Sequence, residues 1–195
     1  MAWQAVTFDD AAKERIKAAA DFERTMRLES LLLLPAQIKP FELMPLTSRN
    51  FLHLEYAQNR ITTGGAMLDD FVHLLWTVKP PSDNRSEKAF AKFAAKKLTS
   101  KHRAEIEAWF HVQFNDMPRS GEGGNVNEFE SGIWLCSVID TLASEYGWNM
   151  DMILDTPLSS SFQLFQRIAK RNNSKYSLRN GITQAAKAKE MKGTK

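Results

Sequence analysis

The stretch Met67-Leu68-Asp69-Asp70-Phe71-Val72-His73-Leu74-Leu75-Trp76-Thr77-Val78 decides the fold class. Its apolar residues Met67, Leu68, Phe71, Leu74, Leu75 and Val78 recur at spacings of three and four, which is the period of one helix face. Asp69 and Asp70 put negative charge in the first turns, where the helix dipole favours it, and Pro80-Pro81 stops the run. A helix this apolar on one side must bury that side, so it is read as central core.

The same period extends in both directions, and strand alternation is almost absent. On the amino-terminal side, Thr47 is placed to cap a helix through about Asn59 that buries Phe51, Leu52, Leu54 or Tyr56 and ends in Ile61-Thr62-Thr63-Gly64-Gly65. Before it, Pro35, Pro40 and Pro45 forbid continued helix and predict an extended connector. The first helix is expected from about Asp10 to Leu34, capped from Thr7, Asp9 or Asp10. Its apolar face is thin: Ile16, Ala19, Ala20 and Met26 share a side that Glu23 interrupts, and Arg24, Arg27 and Glu29 crowd the rest. Such a helix lies over the body as a weakly packed arm or finds its apolar partner in another chain.

On the carboxyl-terminal side, Ser86 to Leu98 turns Phe90, Phe93 and Ala94 one way and Arg85, Lys88, Lys92 and Lys96 the other. Thr99 or Ser100 caps a helix with Ile106, Trp109, Phe110 and Phe114 inward, ending near Met117-Pro118. The glycine-rich segment 119–125 reads as a flexible loop. Phe129, Ile133, Cys136, Ile139, Leu142, Ala143 and Tyr146 then mark an amphipathic helix closed by Gly147, with Trp148 folding back onto it. Asn149 caps a single turn, Met150 to Leu154. Thr156-Pro157 opens the last core helix, whose stripe is Leu158, Phe162, Phe165, Ile168 and Ala169. The expectation is an all-α fold: a single compact multi-helix domain at 41–171, an amino-terminal helical arm with its proline-rich connector at 1–40, and a flexible basic tail at 172–195.

Composition sets the outer bounds. The chain has 195 residues, net charge +3 and one cysteine, Cys136, which excludes an internal disulfide and a multi-cysteine zinc site. Its longest apolar run, Leu31 to Leu34, is far shorter than a membrane span of about 20 residues. The opening MAWQAVTFDD carries acids where a signal peptide needs a basic region, so a cytoplasmic protein is expected.

No catalytic template assembles. His102 and His111 are nine positions apart, on opposite faces of one helix, whereas a helical metal pair needs four. His53 and His73 fall in apolar helices as packed or partly exposed residues. Cys136 beside Trp134 and Leu135 reads as a buried, inert thiol. Ser159-Ser160-Ser161 lacks a nucleophile elbow, and Gly121-Glu122-Gly123-Gly124 lacks the Lys-Ser/Thr of a phosphate loop. A non-enzyme with no cofactor and no metal is expected.

Charge offers a binding role instead. Residues 167–195 carry +8 and residues 1–166 carry −5. Lys and Arg neutralise phosphates whatever the base sequence, so Arg167, Lys170, Arg171, Lys175 and Arg179, together with the Lys88, Lys92 and Lys96 face, form a candidate nucleic-acid surface. Exposed aromatic stacking platforms among these charges are missing except for Tyr176.

Two stretches carry a family likeness. One is Pro45-Leu46-Thr47, continuing through Phe51 and Leu54-Glu55 to Gly64-Gly65, then Asp70 to Trp76; the other is Tyr146-Gly147-Trp148, Ile153-Leu154, Pro157-Leu158 and Phe162-Gln163-Leu164-Phe165-Gln166-Arg167. Their order resembles small helical proteins of tailed-bacteriophage virion morphogenesis, particularly tail assembly chaperone-like products. The long arm and basic tail depart from that pattern, which leaves open a connector or completion factor at the head–tail junction. The resemblance implies a non-enzymatic protein in the host cytoplasm or the virion that binds phage structural proteins, with self-association open. The partner surface it implies is apolar: Met26, Leu31 and Leu34 on the arm, the Trp148 turn, and Phe162 and Phe165. The runner-up is a nucleic-acid-binding accessory or host-takeover protein.

Overall fold

The computed structural model describes residues 9–117, 134–172 and 181–193. Among them the fold is mostly α-helical, with one two-stranded sheet. The helices are α1 (Asp10–Leu31), α2 (Ser48–Tyr56), α3 (Leu68–Thr77), α4 (Glu87–Lys97), α5 (Ser100–Val112), α6 (Trp134–Tyr146), α7 (Met150–Asp155), α8 (Leu158–Asn172) and α9 (Gly181–Gly193). The expected loop at 119–125, Phe129 and Ile133 lie outside the described residues, as do Lys175, Tyr176 and Arg179.

Helix starts follow the side chains that can accept a backbone N–H. Thr47, Ser86, Thr99 and Asn149 accept from Asn50, Ala89, His102 and Met152, which satisfies one otherwise orphaned donor at each end. In α3 the same task falls to Asp70, whose carboxylate takes the Met67 N–H at 2.7 Å. Gly147 closes α6 at φ +66°, and its N–H donates to the Ala143 carbonyl.

The core is built from α3 outward. Phe71, Leu74, Leu75 and Val78 are buried, while Met67 and Leu68 at the exposed start of the helix are not. Leu54 is the buried residue of the α2 face, Phe51 packs against the core edge, and Leu52 and Tyr56 face solvent. Trp76 meets Phe90 edge-on with ring centres 5.6 Å apart, joining α3 to α4. Helix α6 is rotated from its expected setting. Trp134, Leu135, Val138 and Leu142 point inward and Cys136 is exposed, so the expected buried thiol is corrected.

The proline-rich connector is also corrected. It folds into an antiparallel hairpin, β1 (Ala36–Ile38) and β2 (Phe41–Leu43), in the register Ala36–Leu43, Gln37–Glu42 and Ile38–Phe41. Ile38, Phe41 and Leu43 enter the core, whereas Gln37 donates to Glu42 at 2.9 Å on the open face. Strand faces alternate with period two, so three residues suffice to bury one side. Beyond β2, the Met44 N–H donates to the Val78 carbonyl and the Leu158 N–H to the Leu46 carbonyl, each at 2.7 Å. The second bond belongs to a bridge between Thr47 and Pro157 that holds the starts of α2 and α8 together.

Helices α1 and α9 come from opposite ends of the chain and pack on each other, with α1 also against α8. Arg15 grips both carboxylate oxygens of Glu190 at 2.7 Å. The segment 181–193, expected as part of a flexible tail, is therefore helical.

Candidate interaction surface

Helix α1 sets the geometry of the surface. Asp9 accepts the Ala12 N–H at 2.6 Å and Ala12 is buried, but Ile16, Ala19 and Ala20 are only half-covered. A stripe this thin removes little apolar area from water, so apolar contact alone holds the helix weakly. A second attachment is ionic. Arg27 places Nη2 at 2.6 Å from Asp116 Oδ1 and 2.7 Å from Glu23 Oε1, and its Nε lies 3.1 Å from Asp116 Oδ2. Glu23 and Asp116 are both buried, and Gln166 of α8 donates to the Asp116 carbonyl at 2.6 Å. Burial pushes the Asp116 carboxyl up from its ordinary range, against the opposing pull of Arg27. Glu23, which breaks the apolar periodicity of α1, is thus part of what docks it.

Beside and past this triad the helix turns its apolar side outward. Phe22, Leu28, Leu31, Leu32, Leu33 and Leu34 are 48–67% exposed. The helix stops at Leu31 rather than Leu34 because Leu33 takes φ +55° and the Leu34 N–H reaches back to the Glu29 carbonyl at 2.8 Å. This closure normally uses glycine, since a Cβ in left-handed backbone costs about 1–2 kcal/mol. The left-handed Leu33 lies within four consecutive leucines exposed to solvent.

The expected partner residues divide. Leu31 and Leu34 are exposed in this run. Met26 belongs to α1, and its side chain lies outside the described set. Trp148 is half-buried, its ring 5.5 Å from that of Tyr146, with Met150 and Met152 exposed beside it in the chain. Phe165 is half-buried on α8. Phe162 is completely buried, its ring 5.4 Å from Trp134 and 6.2 Å from Phe114, so it is a core residue and reaches no partner.

The basic candidates also fall into two groups. Lys88, Lys92 and Lys96 are exposed along α4, and none forms an ion pair among the described residues. Arg167, Lys170 and Arg171 are exposed on α8, where Arg171 pairs with Glu145. Helix α4 packs on α3, whereas α8 packs on α6 and α1, so the two groups have separate surroundings. Of the histidines, His102 accepts the Thr99 N–H in the α5 cap, and His111 is exposed 3.9 Å from Glu107. Among the described residues no three of His, Cys, Asp or Glu converge on a metal-sized site, and no helix is long and apolar enough to cross a membrane.

Sequence reasoning missed the Glu23–Arg27–Asp116 triad and an apolar groove beside Phe22. The i, i+4 spacing of Glu23 and Arg27 was the one available signal for the triad. Compared with protein-family models, curated proteins and solved structures, the chain matches none.

Proposed function

We propose that this protein is a non-enzymatic interaction factor that engages other proteins through the apolar end of α1, and that its partners are structural components of an assembling phage tail or head–tail junction. The observation that carries the interaction reading is the run Leu31–Leu34, exposed and held out by a left-handed Leu33. Four adjacent exposed leucines with Phe22 and Leu28 on the same helix exceed the scattered apolar residues normal on a monomer surface. A groove on a partner that accepts a helix end would cover them, as in other helix-in-groove contacts. The narrower assignment to virion assembly rests on the resemblance of 45–76 and 146–167 to tail assembly chaperone-like proteins.

The test is affinity capture of the tagged chain from nuclease-treated lysate of phage-producing cells, with mass spectrometry of what is retained. Tail or head components should be recovered with the wild type and lost with Leu31→Ser/Leu34→Ser. Recovery of the chain alone would sink the proposal.

A second reading, nucleic-acid binding, draws on the unpaired Lys88, Lys92 and Lys96 row. It requires oligonucleotide affinity that falls steeply with salt and disappears when all three are changed to Glu. Affinity indifferent to that triple change would remove it.

A further inference from the structure

We propose that the groove between α1, the hairpin and α5 binds a peptide segment of a partner in which a large apolar side chain is flanked by carboxylates. The proposal rests on the reading of the protein as an interaction factor and adds the chemistry of what it recognises. The groove encloses about 620 Å³ and is lined by Phe22, Ile38, Ala108, Trp109 and Val112. Trp109 and Ile38 are nearly buried at its base, Ala108 is exposed, and Phe22 remains 52% exposed as one wall. This volume is within the range of roughly 300–1,000 Å³ typical of ligand sites, enough for one or two large side chains.

The charges around the trough select among occupants. Its charged members are Lys39, Lys101 and Glu105, with His102 beside them. Glu105 lies 3.8 Å from Lys101, leaving Lys39 without a carboxylate among the described residues. His102 Nδ1 lies 3.0 Å from the Lys97 carbonyl, so the end of α4, where Lys97 is exposed, adjoins the same side. An apolar anchor enters the trough and acidic neighbours meet this basic surround, which favours the correct partner and repels a basic one. A nucleic-acid strand would satisfy the lysines but leave the trough unfilled. Phe22 is the one exposed aromatic ring lining the trough, and single-strand binding needs a succession of ring faces.

The experiment screens the immobilised full-length protein against a displayed random-peptide library, followed by titration of the enriched peptides in labelled form. Enriched sequences should carry Leu, Phe or Trp flanked by Asp or Glu. Ala108→Arg, a solvent-facing change on a helix, should weaken them by roughly tenfold or more by occupying the trough. Lys39→Glu/Lys101→Glu should weaken them about fivefold or more and shift preference to peptides with Lys in place of the acids. Unchanged circular dichroism and melting temperature confirm that both variants fold.

The proposal fails if nothing is enriched, if the enriched peptides lack acids, or if Ala108→Arg leaves their affinity intact. It also fails if oligothymidylate competes for the trough, which would mark it as a nucleic-acid site. Sedimentation showing self-association abolished by Ala108→Arg would assign the trough to a second copy and overturn it likewise. Lysate partners that survive Ala108→Arg but not the leucine change would overturn the groove and leave the interaction reading standing. Peptide binding intact with no lysate partner would do the reverse.

Discussion

Arg27 holds Asp116 through two hydrogen bonds, at 2.6 and 3.1 Å, across 89 positions of sequence, and the same guanidinium serves Glu23 one turn earlier. One cation therefore stands between two buried carboxylates. Removing it takes that cation away from both buried acids, a change that costs about 3–5 kcal/mol in comparable buried pairs. Arg27→Met should lower the melting temperature by a corresponding margin and open α1 to protease. A variant that melts with the wild type and resists cleavage would show that the triad is not what docks the helix.

The pH response of the triad has a definite sign. Burial raises the Asp116 pKa in the folded state, so its contribution is full below the ordinary carboxylate range and is lost as pH rises through the raised value. Asp70 behaves oppositely. Burial pushes it up, but N–H donation from Met67 and Arg60 and the Arg60 guanidinium outweigh that, and its pKa is lowered. Its contribution is present above the ordinary range and lost as pH falls through the lowered value. In urea melts from mildly acidic to neutral pH, Asp116→Asn should gain on the wild type as pH rises. Asp70→Asn should fall behind the wild type as pH rises through the more strongly acidic range, from its lowered value up to the ordinary carboxylate range, and profiles parallel to the wild type for both variants would contradict these assignments.

Two residues in left-handed backbone should respond to substitution in opposite directions. Leu33 at φ +55° carries a Cβ that this conformation disfavours, so Leu33→Gly should stabilise the protein by about 1 kcal/mol. Gly147 at φ +66° has open space where a Cβ would project, which leaves backbone strain as the cost, and Gly147→Ala should destabilise by about 1 kcal/mol. Equilibrium denaturation of both variants reads the two signs directly.

Phe162 and the leucine run separate core from surface. Phe162→Ala empties a fully buried site between Trp134 and Phe114 and should cost about 3–5 kcal/mol. Leu31→Ser/Leu34→Ser changes exposed side chains and should stay within roughly 0.5 kcal/mol per site. If the leucine variant instead loses stability on the scale of Phe162→Ala, that run is holding the fold and is not free for a partner.

Much of this architecture was legible one residue at a time. Thr47 and Asn149 were expected to cap helices, as was Thr99 or Ser100, and Thr47, Thr99 and Asn149 each accept a backbone N–H, because capping depends on side chains within one turn. The hairpin was not legible, since its three-residue strands give one apolar alternation apiece between prolines. The rotation of α6 was missed for another reason. Trp134, Leu135, Cys136, Val138, Ile139 and Leu142 spread over more than half of the helix circumference, so its period permits two settings and packing against α8 selects one. Helix α9 has few apolar residues, and its Arg15–Glu190 grip is invisible to hydrophobic periodicity. In the candidate surface, Leu31 and Leu34 stood out as an apolar run before Pro35. The groove did not, because Phe22, Ile38 and Trp109 come from three separate segments.

The backbone bridge joining Thr47 to Pro157 has a consequence for how the molecule is made. Its two sides are separated by a stretch of chain on the order of a hundred residues, and closing so long a loop carries an entropic cost that grows as the logarithm of its length. The register between the starts of α2 and α8 is therefore among the later contacts open to a chain emerging from the ribosome. Until Pro157 and Leu158 have left the exit tunnel, Leu46 and Thr47 lack their partners. The nascent amino-terminal half waits for the far end of the polypeptide before its central seam can close.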